Sequence, residues 1–163
     1  MEPAASFPAI TEREISIDDP AAPDVRQLLA THLAFARGQT PPEDAHALDV
    51  DGLLNASVTF FSFRRDGVLL AVGALKRLDA DHAEVKSMHT VAAARGQGIG
   101  RRMAEHLIAV AREAGYGRLS LETGSMAAFA PARALYASVG FAECEPFGEY
   151  RASPNSAYMT MEL

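Results

Sequence analysis

A chain of 163 residues, 48% apolar and with 21 acidic against 15 basic side chains, carries a formal net charge of −6. It is of one-domain length, residues 1–163, and can bury a substantial core, whereas scattered acidity with no basic run argues against a nucleic-acid partner. No apolar stretch has membrane-spanning length, the lone Cys144 has no internal partner, and Met1 to Phe7 lacks a secretion-signal pattern, so a cytoplasmic protein is expected.

Residues 1–12 are rich in Pro and Ala and read as a loose tail. Residues 13–18 alternate around Ile15 and Ile17, as a first strand would. Asp19-Pro20 opens a turn, and Asp24 is expected to cap a helix whose apolar face is Val25, Leu28, Leu29 and Leu33. Gly38 to Pro42 ends that helix. Residues 41–55 predict one or two short helices and a loop that carries His46, Asp49 and Asp51. Residues 58–64 are β-branched and aromatic, Asp66-Gly67 is a hairpin signal, and residues 68–78 return as the second arm. After a turn at 79–82, residues 84–91 form a strand and residues 92–98 a turn of small residues. Ile99, Met103, Leu107, Val110, Ala111 and Ala114 then recur at helical spacing until Gly115. Arg118 to Glu122 is the next strand, which makes the strand–helix–strand path a parallel crossover. A loop with Gly124 leads to Pro131, which opens a short helix ending near Val139 and Gly140. Residues 141–145 and 157–163 close the chain as paired strands. The fold class is α/β (α+β).

The turn before the long helix has the chemistry of an anion site. A helix N-terminus presents N–H groups without intrahelical acceptors, and the peptide dipoles add positive character there. Gly96, Gly98 and Gly100 allow close approach to the main chain, and Arg95, Arg101 and Arg102 add charge, so phosphate or pyrophosphate is the expected guest. The stretch lacks the Gly-Lys-Ser/Thr of a nucleoside-triphosphate loop and the Gly-x-Gly-x-x-Gly of a dinucleotide fold.

Arg95-Gly96-Gln97-Gly98-Ile99-Gly100 resembles the Arg/Gln-x-x-Gly-x-Gly/Ala signature of the GNAT family of N-acetyltransferases. The strand Ala83 to Met88 and the block Ala132-Arg133-Ala134-Leu135-Tyr136-Ala137-Ser138-Val139-Gly140-Phe141 are similar to their counterparts in that family. Leu121-Glu122-Thr123-Gly124 and the tail from Cys144 look most like a bacterial subgroup of small-molecule acetyltransferases. The resemblance covers residues 58–163 and, more loosely, the whole chain. It implies a mixed, mostly antiparallel central sheet with one parallel crossover and helices on both faces. It also implies acetyl-CoA as cosubstrate with no metal, and a small-molecule primary amine as acceptor. A non-catalytic coenzyme A-binding or sensory module, or a protein-lysine or N-terminal acetyltransferase, is the alternative. Nucleic acid and membrane are not expected partners, and a homodimer is left open.

By the same resemblance, the amides of Arg95, Gly96, Gln97, Gly98, Ile99, Gly100 and Arg101 hold the pyrophosphate of the coenzyme. Thr90 and Val91 offer backbone groups to the pantetheine arm, and one N–H there can receive the thioester oxygen. Met88 packs near the acetyl group. The attacking amine must lose a proton, and Glu84 matches the strand position where some members carry a catalytic glutamate. The structural alternative for Glu84 is a salt bridge with Lys86. Glu122 on the neighbouring strand is the rival base, with His89 and His46 as weaker ones. Tyr136 matches the tyrosine that many members use as general acid toward the departing thiolate. Two positions depart from the family pattern: Ala92 replaces a common proline, and Phe129 replaces an asparagine that helps hold the coenzyme.

Overall fold

The strongest local signal in the chain is the hairpin at its centre. Strands β2 (Val58–Arg65) and β3 (Val68–Arg77) are joined by Asp66 and Gly67. Both turn residues have positive φ, 52° and 78°, and their left-handed backbone matches the twist of the two arms. The computed structural model describes residues 14–163, so the expected tail at 1–12 and the first residue of the expected strand 13–18 lie outside the described residues.

The hairpin is the middle of a seven-stranded sheet, counted among the described residues, in the order β1-β2-β3-β4-β5-β7-β6. The remaining strands are β1 (Ile15–Ile17), β4 (His82–Thr90), β5 (Arg118–Gly124), β6 (Ala142–Glu143) and β7 (Ser156–Glu162). Every neighbouring pair is antiparallel except β4 with β5. The parallel pair is bridged by helix α3 (Ile99–Glu113), whose one apolar face packs back onto the sheet. Expected and observed architecture therefore agree: a mixed, mostly antiparallel sheet with a single parallel crossover.

Alternation along the strands divides the apolar side chains between the two faces. Phe61, Phe63, Ala71 and Val85 meet Met103, Leu107 and Ala111 of α3, together with Tyr136 of α4 (Ala130–Ser138). Phe60, Leu69, Val72 and Ala74 meet Val25, Leu28 and Leu29 of α1 (Pro23–Gln39) and Leu53 of the short α2 (Val50–Leu53). Both faces of the central strands are covered by helices.

Several boundaries differ from expectation for physical reasons. Asp24 does not cap α1: the helix starts one residue earlier at Pro23, whose φ is already helical, and the Asp24 carboxylate instead accepts from Arg64 of β2. In the 41–55 stretch Asp49 is the cap, accepting from the Gly52 N–H at 2.9 Å. β6 is only two residues long, because the chain after Glu143 turns back across the sheet.

One feature of the sheet creates the site. β4 and β5 are in register only at His82↔Arg118, Ala83↔Leu119 and Glu84↔Ser120. Just beyond, β4 slips register against β3 between Val72 and Ala74, and Ser87 takes φ 56°, a bulge that bends the strand. From Val85 onward the two parallel strands part.

Leu107 is fully buried in the α3 face of the core. Leu107→Ala should cost about 2–5 kcal/mol, transfer and cavity terms together. Urea unfolding would measure it; a loss below about 1 kcal/mol would mean that α3 does not bear on the sheet as described.

Candidate active site

The wedge between β4 and β5 is a cavity of about 590 Å³ that runs from the start of α3 to the loop before α2. At its first end lies the glycine turn. Gly98, the N-cap of α3, has φ 77°, and Gly96 has the same value. A Cβ on either would meet nothing within 4 Å, so backbone conformation, not crowding within the protein, calls for glycine there. The first intrahelical bond runs from the Arg102 N–H to the Gly98 carbonyl, which leaves the Ile99, Gly100 and Arg101 N–H groups without intrahelical acceptors.

Most of the residues expected to hold a coenzyme border this cavity: Met88, Thr90, Arg95, Gly96, Gly98, Ile99, Gly100 and Arg101. Two do not. The Gln97 amide turns back to the Ala93 carbonyl at 3.4 Å, and Val91 packs into the core. The Val91 N–H already donates to the Leu70 carbonyl at 2.8 Å, so it is not the donor free to receive a thioester oxygen. Arg101 is partly engaged, with Glu105 at 3.0 Å and the Ser138 hydroxyl at 3.3 Å.

Phe129, where the family pattern has asparagine, borders the cavity with its ring edge against Phe35, 5.2 Å between centroids. It fits because residue 124 is glycine: a Cβ there would stand 2.2 Å from the Phe129 ring. The loop is tied down by Arg133, which donates to the Gly124 carbonyl at 2.7 Å and the Met126 carbonyl at 3.0 Å.

The two candidate bases have different surroundings. Glu122 borders the cavity. Burial pushes its carboxyl up from the ordinary 4.5 to about 7, against the lowering pull of the Ser156 hydroxyl and the Lys86 ammonium. Glu84 is 2% exposed and is not among the lining residues. Its Oε2 accepts from the Tyr150 hydroxyl at 2.5 Å and lies 3.5 Å from Lys86 Nζ. Tyr136 is buried against Phe141 and borders the cavity from α4. Burial raises its hydroxyl well above the usual tyrosine value, so it holds its proton throughout the neutral range.

His46 and His89 also reach the cavity, and His89 meets His32 of α1, Nδ1 to Nδ1, at 3.2 Å. Burial lowers all three, His32 to about 4 with help from His89 and Lys86, which keeps these imidazoles neutral at pH 7. His32, Phe35 and Tyr150 are residues that sequence reasoning missed. His32 falls within the apolar face of α1, between Leu28 and Ala36, and Phe35 falls at its edge, so both read as packing positions, and Tyr150 lies in a stretch without periodicity. Among the described residues no group of three or more His, Cys, Asp or Glu is arranged to hold a metal, and no helix is long and apolar enough to cross a membrane.

A glycine-rich turn at the start of a crossover helix opens into a wedge between two parting parallel strands, the arrangement of a protein that seats a long ligand with an anionic group at one end. The model of the acetyltransferase (GNAT) family matches residues 23–141, and the chain belongs to that family. It is an acyltransferase. An N-acetyltransferase of Bacillus subtilis, YsnE, itself uncharacterized, is 46% identical over 91% of this chain and 99% of its own. An IAA acetyltransferase of Azospirillum brasilense is 35% identical over 91% of this chain and 97% of its own. Among solved structures, a GNAT acetyltransferase of Elizabethkingia anophelis with acetyl-CoA bound shares the fold, with a TM-score of 0.67 at 19% identity over 91% of this chain and 97% of that one.

The position of Glu122 has a consequence for stability. Below pH 4.5 the carboxyl is protonated in both folded and unfolded chains; above that the unfolded chain ionises freely while the folded one resists until about 7. Folding stability is therefore lost as pH rises through this window. At about 1.4 kcal/mol per pH unit, the loss is on the order of 3 kcal/mol by pH 8. Glu122→Gln should remove it, so urea unfolding should show the variant gaining on the parent at pH 8 relative to pH 5. An equal difference at both pH values would contradict the burial of this carboxylate.

Proposed function

We propose that the protein moves an acetyl group from acetyl-CoA to the primary amine of a small molecule, by direct attack in a ternary complex. One observation supports the reading: a single cavity has the glycine turn and the first free amides of α3 at one end and the partly buried Glu122 carboxyl in its wall at the other. The relative named for IAA supports a small-molecule acceptor.

The residues present fit the coenzyme. The turn at Gly96 and Gly98 leaves open space where side chains would stand, and the first amides of α3 suit a pyrophosphate. The edge of β4 beyond Glu84 has no register partner in β5, so its main-chain groups around Met88 and Thr90 suit the amide-bearing arm. Acetyl-CoA supplies an acyl group already activated as a thioester.

The chain's own groups supply the proton traffic. An amine arrives mostly as ammonium, and Glu122, ionised above about pH 7, is the base we assign to take that proton, directly or through a water. Its raised affinity for protons brings it closer to the amine than an ordinary carboxylate would come. Tyr136 keeps its hydroxyl proton at the cavity wall, available to the sulfur that leaves. Cys144 is outside the cavity lining and burial pushes its thiol up, which speaks against an acetylated-cysteine route.

A panel of small primary amines, assayed for thiol release from acetyl-CoA, tests the reading. Gly98→Val should weaken acetyl-CoA binding in calorimetric titration at least about tenfold, because a β-branched residue resists positive φ and fills the approach to the amides. Unchanged affinity would remove the coenzyme from this turn. Glu122→Gln should lower kcat/KM about 10²- to 10⁴-fold at pH 7, with recovery as pH nears the amine's own pKa. Tyr136→Phe should lower kcat while leaving coenzyme affinity unchanged, and an unaltered kcat would assign Tyr136 to packing alone.

A further inference from the structure

The chain between β6 and β7, residues 144–155, does not loop out into solvent. It crosses the face of the sheet on which β4 carries His82, Glu84 and Lys86 and β5 carries Ser120 and Glu122. Four fastenings hold it. The Phe147 ring is buried, packed between His82 and Tyr158. The Tyr158 hydroxyl donates to the Arg151 carbonyl at 2.6 Å. Asn155 donates to Asp44 at 3.0 Å. The fourth is Tyr150, which joins a charge-assisted chain: its hydroxyl donates to Glu84 and accepts from Lys86 Nζ at 2.9 Å.

This fourth fastening is of a different kind, since it satisfies two buried charges. The side chains of Glu84 and Lys86 are 3% and 9% exposed, and they lie 3.5 Å apart. Lys86 has three donors, directed to Tyr150, Glu84 and the His46 carbonyl. If the segment lifted, both charges would lose their shared hydroxyl, which is costly in a site that water does not freely reach.

We propose that Glu84 and Tyr150 are positioning residues for acetyl transfer: through the Tyr150 hydroxyl, Glu84 keeps segment 144–155 fastened beside Glu122, whose register partner Tyr158 also holds the segment, and so keeps Glu122 out of water. The inference rests on the reading of Glu122 as the base. The groups around Glu122 are Glu84 and Lys86 from β4, Ser156 and Tyr158 from β7, Asp44 from the loop before α2, and Tyr150 from the strap, with His46 lining the same cavity. Loosening the strap admits water to Glu122. Removing the Glu84 charge takes away a repulsion and leaves Lys86 freer to act on Glu122. All three changes favour the ionised carboxylate, so each moves its titration downward.

The test is an NMR titration of the full chain labelled with ¹³C at the glutamate carboxyls, the Glu122 signal being assigned by its loss in Glu122→Gln. Amide hydrogen exchange is followed on the same proteins, and no acceptor is needed. Tyr150→Phe and Glu84→Gln should each lower the Glu122 midpoint by about one pH unit. Exchange across residues 147–152 should quicken at least about tenfold. The double variant should go no further than the larger single one, because both substitutions break the same link. Tyr150→Phe removes one hydroxyl from a half-buried ring, so it decides the matter if Glu84→Gln fails to fold. An unchanged midpoint in Tyr150→Phe overturns the proposal. A parent Glu122 that titrates near 4.5 overturns the base reading by itself, and the strap then stands or falls on the exchange alone.

Discussion

The structure turns on the parting of two parallel strands. A parallel pair normally continues its hydrogen bonds for the length of both strands, and leaving main-chain groups without partners is costly unless something else meets them. Here β4 and β5 hold three register pairs and then separate at the bulge around Ser87. The separation leaves a strand edge exposed to a cavity, brings the start of α3 to the cavity's mouth, and lets side chains from both strands face one space. The cost is met by the rest of the fold. β4 is paired along its other side with β3, and the two apolar clusters grip the sheet from both faces.

Charge is distributed to match. The protein is acidic as a whole, with a net charge of −6, yet its glycine turn carries arginines beside the first amides of α3. At the other end the charges compensate one another: Glu84 answers Lys86, the imidazoles of His32, His46 and His89 are held neutral, and Glu122 has no ion-pair partner among the described residues. The arginine-bearing glycine turn and the Glu122 carboxyl thus stand in different local fields within one cavity, fields that the net charge does not describe.

Much of this was legible in the sequence, and the reasons are local. The Asp66-Gly67 turn, the α3 periodicity and the Gly98 start are each fixed by a few neighbouring residues, and together they define the hairpin, the crossover and the glycine turn that opens its helix. Tyr136 and the glycine turn were found through a block of contiguous residues. What was not legible depends on contacts far apart in the chain. Tyr150 meets Glu84 across 66 residues and His32 meets His89 across 57. Glu84 and Glu122 both read as carboxylates on adjacent strands; only the divergence of those strands beyond Glu84 sets one in the core and the other on the cavity. The fit of Phe129 depends on Gly124, five positions away, where no periodic pattern links them.

The central claim is that the opened edge of β4 and the start of α3 form one continuous seat for acetyl-CoA. Amide hydrogen exchange on the unmodified protein, with and without saturating acetyl-CoA, tests it most directly. The account predicts slowed exchange in two separate stretches, 88–90 and 96–101, with little change in the β2–β3 hairpin. Protection confined to one stretch, or centred elsewhere, would contradict it.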